Sequence, residues 1–151
     1  MDRIDQHILR ELQLNARLTN QELAQRVNLS PSPCLRRVRQ LEQQGVITGY
    51  SAVVDQKACG FPITVFVRIA LGRHDTTTVA EFERRVREID EIMDCFLMTG
   101  QRDYLMRVVA ASLEDYERFV RETIHTIPGI ASMDTSFAYG VIKRAWALPE
   151  D

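Results

Sequence analysis

The sequence is poor in the features that announce a catalyst or a membrane protein. Its three cysteines, Cys34, Cys59 and Cys95, are an odd number, widely spaced, with no CxxC pair and no histidine at metal-ligand spacing, which points to reduced structural thiols rather than a disulfide framework or a metal site. The three histidines, His7, His74 and His125, are scattered over a helix, a loop and a helix and suit surface positions better than ligation. No apolar run reaches the roughly 20 residues that span a bilayer. The opening MDRIDQHI carries acid where a secretory signal carries a basic and then an apolar segment, so a cytoplasmic chain is expected. GxSxG, GxxxxGK[ST], HExxH and a dinucleotide fingerprint are all missing, which leaves hydrolase, kinase or dehydrogenase chemistry nothing to stand on. No catalytic residue, metal or cofactor is therefore expected. Lysine is nearly absent too, with only Lys57 and Lys143, so arginine carries the positive charge.

What is present is enough apolar material for real cores: 45% of 151 residues, in one domain or two small ones. The net charge of −2 divides unevenly. Residues 1–50 hold seven Arg against five Asp and Glu, a balance of +2, and the remainder carries −4. A basic end and an acidic end fit a chain of which only one end meets phosphate. So weak a positive balance implies that two or more copies act together on nucleic acid.

The basic end reads as three helices. Residues 2–14 place Ile4, Ile8, Leu9 and Leu12 on one stripe, with Asp2 and Asp5 near the positive end of the helix dipole. Thr19 and Glu22 have the spacing of a capping box, Leu23, Ala24 and Val27 follow at helical period, and Asn28 tolerates the left-handed conformation that closes a helix. Ser30 then stands as N-cap before Pro31 at the first helical position, so Ser30→Ala is expected to cost about 1 kcal/mol. On a wheel of about 100° per residue, Cys34, Leu35, Val38 and Leu41 are assigned to the core arc. Arg36, Arg37, Arg39, Gln40 and Gln43 are assigned to the opposite one, and Gly45 ends the helix. An arginine run on a helix is ordinarily a solvated face. Here helix, turn, helix and basic face occur in the order of a DNA-reading helix-turn-helix, with guanidinium groups suited to phosphates or guanine edges and Gln to adenine. Ser30, Ser32, Arg36, Arg37, Arg39 and Gln40 are the candidate DNA contacts of the second motif helix, and Thr19, Asn20 and Gln21 would meet phosphate at the start of the first.

Beyond Gly45 the pattern turns β-rich through residues 46–54, broken at Gly49. It then repeats: strand 63–71, helix 78–89, strand 93–98; strand 104–111, helix 113–127, strand 131–139, with a possible continuation over 141–148. Domains are thus expected at 1–50 and 62–151, joined by a hinge over 51–61. The order βαββαβ is that of a ferredoxin-like fold, an antiparallel sheet with both helices on one face. Met93, Met98, Met106 and Met133 fall on its strands and suit core or pocket filling. Both sheet faces look apolar, with Phe66, Ala70, Leu105 and Val109 opposite the residues that meet the helices. Helices cover only one face, so the other is expected to join a second copy sheet to sheet, with palindromic DNA half-sites as the consequence.

The runs DRIDQHILRELQLNARLTNQELAQRV and LSPSPCLRRVRQLEQQGVITGY, with TGQRDYL and PGIASMDTSF further on, resemble the Lrp/AsnC family of transcription regulators along nearly the whole chain. The resemblance implies an α+β chain: a winged helix-turn-helix, a hinge strand that pairs with its dimer partner, and a ferredoxin-like domain for ligand sensing and oligomerisation. It also bears on the segment Thr99–Tyr104, expected to join the central strands. From the residues alone, a glycine turn followed by an Asp that accepts turn amides is ordinary hairpin chemistry. The family instead lines an amino-acid pocket between dimers with this loop. Gly100 would then let the ligand approach backbone, Asp103 would pair with an ammonium group or brace the loop, Tyr104 would pack nearby, and Thr135 and Ser136 would approach from the last strand. Gln101 and Arg102 stand where relatives often carry an acidic or aromatic residue.

The leading expectation is a nucleoid-associated, sequence-specific regulator whose partners are double-stranded DNA, an amino acid and further copies of itself, from dimer to tetramer or octamer. Two alternatives remain: an effector-independent DNA-organising protein, and an amino-acid sensor module of a metabolic complex.

Overall fold

The computed structural model of the chain describes residues 1–100 and 103–149. They form two compact units, one of Met1–Val53 with Ile142–Asp151 and one of Val54–Val141. No described helix is long and apolar enough to cross a membrane.

In the first unit, α1 (Arg3–Leu14), α2 (Asn20–Arg26) and α3 (Pro31–Gln43) enclose a core of Ile8, Leu23, Ala24, Val27, Cys34 and Leu41. Each boundary follows from local chemistry. Asp2 and Asp5 close a capping box on α1, as Thr19 and Glu22 do on α2. Asn28 adopts φ 55° after α2, the left-handed turn expected of it. Ser30 occupies the N-cap of α3 with Pro31 next, yet its side chain makes no capping hydrogen bond, so the expected cost of Ser30→Ala falls away.

Two β expectations fail in this unit. Residues 46–54 form no strand, because a strand needs a ladder partner and one copy of the chain supplies none here. Residues 141–148 do not extend the last strand either. The segment from Ile142 belongs to the helical unit, where the Leu148 carbonyl accepts from Arg10 Nη1 at 2.8 Å and its N–H donates to Gln13 Oε1 at 3.3 Å.

The second unit runs β1 (Ile63–Leu71), α4 (Thr76–Arg87), β2 (Ile92–Leu97), β3 (Tyr104–Ala110), α5 (Leu113–Glu122) and β4 (Ile130–Phe137). The four strands are antiparallel in the order β2-β3-β1-β4, the ferredoxin-like arrangement. β2 is thus an edge strand, and the 98–103 loop joins an edge to the centre rather than two central strands. α5 is shorter than the predicted 113–127. It stops at Glu122, a 3-10 turn covers Ile124–Thr126, and Pro128 holds Ile127 extended. Gly129 follows at φ 89°, and any Cβ there would meet Thr78 Cγ2 at 2.5 Å, so both backbone and space require glycine.

Alternation along β1 decides the core. Val65, Val67, Ile69 and Leu71 are buried with Phe82 and Val86 of α4, Tyr116 and Phe119 of α5, and Tyr104, Met106 and Val108 of β3. Phe66, Arg68 and Ala70 lie on the opposite face. There Phe66 pairs with Arg107 and Ser136, and Arg68 with Leu105 and Asp134. That face is not wholly apolar as expected. Arg107 Nε meets Asp94 at 2.5 Å and Arg68 Nη1 lies 3.8 Å from Asp134, while Phe66 and Phe96 remain exposed between these pairs.

Candidate nucleic-acid interface and effector loop

α3 presents an exposed face of Ser32, Leu35, Arg36, Arg39, Gln40 and Gln43, which line one open groove. Two positions differ from the wheel. Leu35, assigned to the core, is 37% exposed, and Arg37, assigned to the outer face, is half-buried. Measured from Cys34 at about 100° per residue, Arg37 lies about 60° from the core centre and Leu35 about 100°, so Leu35 falls outside the core arc and Arg37 inside it. Arg37 Nη1 donates to Asp2 Oδ2 and Asp5 Oδ1, both at 2.8 Å. The guanidinium is held above its ordinary pKa by its hydrogen bonds to Asp5 and Asp2. The Asp2 carboxyl is held low, first by the Asp5 amide and then by Arg37. Arg37 therefore ties α3 to the start of α1. Arg36 and Arg39 have no carboxylate at ion-pair distance among the described residues and keep their charge for a ligand.

At the start of α2, Thr19 Oγ1 accepts from the Glu22 amide at 3.2 Å while its amide donates to Glu22 Oε2 at 2.7 Å. The Thr19 amide first, and then the Thr19 hydroxyl, which donates to Glu22 Oε2 at 2.8 Å, hold the Glu22 carboxyl below its ordinary value. Asn20 Nδ2 donates to the Pro31 carbonyl at 2.8 Å, pinning the turn between α2 and α3, and Gln21 is exposed. Of the predicted phosphate-facing residues, Thr19 and Asn20 thus have structural partners of their own. Ser30 is exposed at the head of α3.

The loop after β2 is anchored to the end of β1. The Asp103 amide donates to the Ile69 carbonyl at 2.9 Å, and Met98 N–H donates to the Asp103 carbonyl at 2.8 Å. The Asp103 carboxylate accepts from Leu71 N–H at 2.6 Å and lies 2.9 Å from His74 Nε2. The Leu71 amide first, and then His74, hold this carboxyl below its ordinary value. Of its two expected roles, the loop brace is the one realised in a single copy. Gly100 takes φ 113°, a conformation that favours glycine. Gln101 and Arg102 lie outside the described residues.

Tyr104 is buried against Phe82, ring centroids 4.5 Å apart, and its hydroxyl donates to Glu83 Oε1 at 3.1 Å. Burial, then Glu83, pushes the phenol up to about 12. Thr135 pairs with Val67 and turns toward α5, its hydroxyl 3.1 Å from that of Tyr116. Ser136 pairs with Phe66 and points to the open face. Gly100 and Asp103 thus share a sheet end, Tyr104 and Thr135 share the covered face, and Ser136 lies opposite. One copy cannot gather all five around one ligand. His74 was expected only at a surface position and Glu83 was not singled out, since neither sits at a motif spacing from its partner.

Comparison with known proteins places this geometry. A family model for the Lrp/AsnC ligand binding domain matches residues 64–148, and one for winged helix-turn-helix DNA-binding matches residues 1–48. The chain is 42% identical over 149 residues to the Bkd operon transcriptional regulator of Pseudomonas aeruginosa, covering 99% of this chain and 97% of that one. It is 38% identical over 145 residues to the leucine-responsive regulatory protein of Escherichia coli K12, covering 96% and 88%. Among solved structures, a transcriptional regulator of Neisseria meningitidis, crystallised as an L-Met complex, superposes with TM-score 0.94 at 36% identity, covering 99% of this chain and 96% of that chain. Escherichia coli AsnC superposes with TM-score 0.86 at 26% identity, covering 95% of each.

Proposed function

We propose a mechanism from the premise that the chain belongs to the Lrp/AsnC family and is a DNA-binding transcriptional regulator. Ser32, Arg36, Arg39 and Gln40 of α3 enter the major groove, with the guanidinium groups and the amide reading base edges or gripping phosphate. Arg37 does not read DNA. It fixes the angle at which α3 leaves the three-helix unit. The observation that carries this reading is the sorting of the arginines on one helix: Arg37 sequestered between two carboxylates, Arg36 and Arg39 exposed beside Gln40.

The second unit senses an amino acid. The support is its family match and the L-Met held by the Neisseria regulator. Gly100, Asp103, Tyr104, Thr135 and Ser136 form the pocket only between assembled copies, since they are divided over two sheet faces here. The amino acid then acts by favouring one assembly over another, and a coupling of about 1–3 kcal/mol suffices to change how many DNA half-sites are held together.

Sedimentation velocity tests both halves, using the purified protein with and without pooled amino acids, and with a duplex from its own upstream region. The expected result is a species larger than a dimer that binds the duplex and changes size with one amino acid. A protein that responds to an amino acid but shows no salt-dependent affinity for the duplex would favour the reading as a sensor module that docks on protein, and a dimer indifferent to both would overturn the proposal.

A further inference from the structure

Leu35 is out of place on the outer face of α3. It is 37% exposed and takes no part in the helical core, which is built from Ile8, Leu23, Ala24, Val27, Cys34 and Leu41. It sits one turn after Ser32 and one turn before Arg39, so along the helix axis it lies between them, on the core-side edge of the stripe that lines the open groove. Every other residue named for that groove is polar or cationic, and the two arginines give it the charge that the DNA backbone complements. Once the arginines hold the helix in a major groove, the branched end of Leu35 reaches base edges beside them. Only one group on those edges is apolar, the C5-methyl of thymine.

We infer that Leu35 is a specificity-determining residue that selects thymine by covering its C5-methyl group, at a position in each half-site between those met by Ser32 and Arg39. The inference rests on the reading of α3 as the DNA-contacting helix. Arginine and glutamine read hydrogen-bonding edges and are indifferent to a methyl group, so this contact adds a base preference they do not supply.

The test uses the full-length protein and a duplex obtained by selection from random sequence. Each thymine is replaced in turn by deoxyuridine, which removes the methyl and keeps every hydrogen-bonding group. One symmetric pair of positions should lose affinity about three- to fivefold per half-site, the transfer value of one buried methyl group. Leu35→Ala should abolish that uracil penalty while leaving the salt dependence of binding unchanged, because no phosphate contact is lost. Leu35→Met should restore the penalty. A flat uracil profile for the parent protein, or an undiminished penalty in Leu35→Ala, would overturn the inference. Failure of the selection to yield any preferred sequence would instead overturn the reading of α3 on which it rests.

Discussion

Two residues at the heads of neighbouring helices look alike in sequence and differ in structure. Thr19 and Ser30 both precede a helix, but only the Thr19 hydroxyl accepts a backbone amide, and only Thr19 has a Glu three residues on to reciprocate. Thr19→Ala should therefore cost about 1 kcal/mol and Ser30→Ala only a few tenths. Urea midpoints followed through Trp146, the single tryptophan and part of the same unit, will distinguish them; equal losses would show that Ser30 caps α3 after all. Asp103 supplies a pH-dependent counterpart. Its folded carboxyl value is lowered below 3.8, so its contribution is fully present above the unfolded value and disappears as pH falls through the folded one. Asp103→Asn should lose about 1–2 kcal/mol near neutral pH, with the deficit narrowing toward zero once the parent carboxyl protonates. Urea midpoints of the two proteins taken from neutral pH downward measure this, and a deficit independent of pH would assign it to packing. The capping pairs were legible because their partners lie three residues apart. The Asp103 to His74 contact was not, since no periodicity links residues on either side of a strand and a helix.

At the scale of one element, α3 shows what a wheel resolves and where it is misread. Its limits, its proline start and its buried Cys34 and Leu41 follow from local pattern, but grouping residues by polarity put Leu35 inside and Arg37 outside. Angle alone sorts them correctly. Arg37 reaches the core arc because Asp2 and Asp5 stand at the start of α1 to receive it, which no pattern within α3 discloses. The two kinds of arginine separate in a salt titration. Arg39→Ala should lower the slope of log affinity against log salt by about 1 if it meets phosphate, or relax specificity at one base pair if it reads a base. Arg37→Ala should leave slope and sequence preference intact and instead lower the urea midpoint of the helical unit, because two partly exposed carboxylates lose their shared partner. A reduced slope in Arg37→Ala would return that residue to the DNA surface. The residues 46–54 illustrate the opposite limit. Their β-rich composition was readable, yet strand formation depends on a partner that a single chain does not contain.

For the whole molecule, the open face of the β2-β3-β1-β4 sheet would set how DNA affinity is assembled if copies pair through it. Phe66 and Phe96 are exposed there, flanked by the Arg107–Asp94 and Arg68–Asp134 pairs. Apolar side chains between complementary charged pairs suit a two-fold contact, in which each copy presents the same patch and the ion pairs fix the register. The apolar half of that face was evident from strand alternation; the charged half was not, because only the strand register sets Arg68 beside Asp134 and Arg107 beside Asp94. Phe66→Asp puts a carboxylate at the centre of this face, beside Arg107 and Ser136 on the neighbouring strands. A single copy tolerates it at an exposed position, whereas two apposed copies would bury like charges against each other. Sedimentation should therefore show the variant as a folded monomer. Its affinity for a palindromic duplex should fall, with the salt slope reduced to about half that of the parent, because each copy neutralises only its own half-site phosphates. If Phe66→Asp still sediments as a dimer with an undiminished slope, the copies meet through another surface, and the open sheet face must be assigned to a different contact.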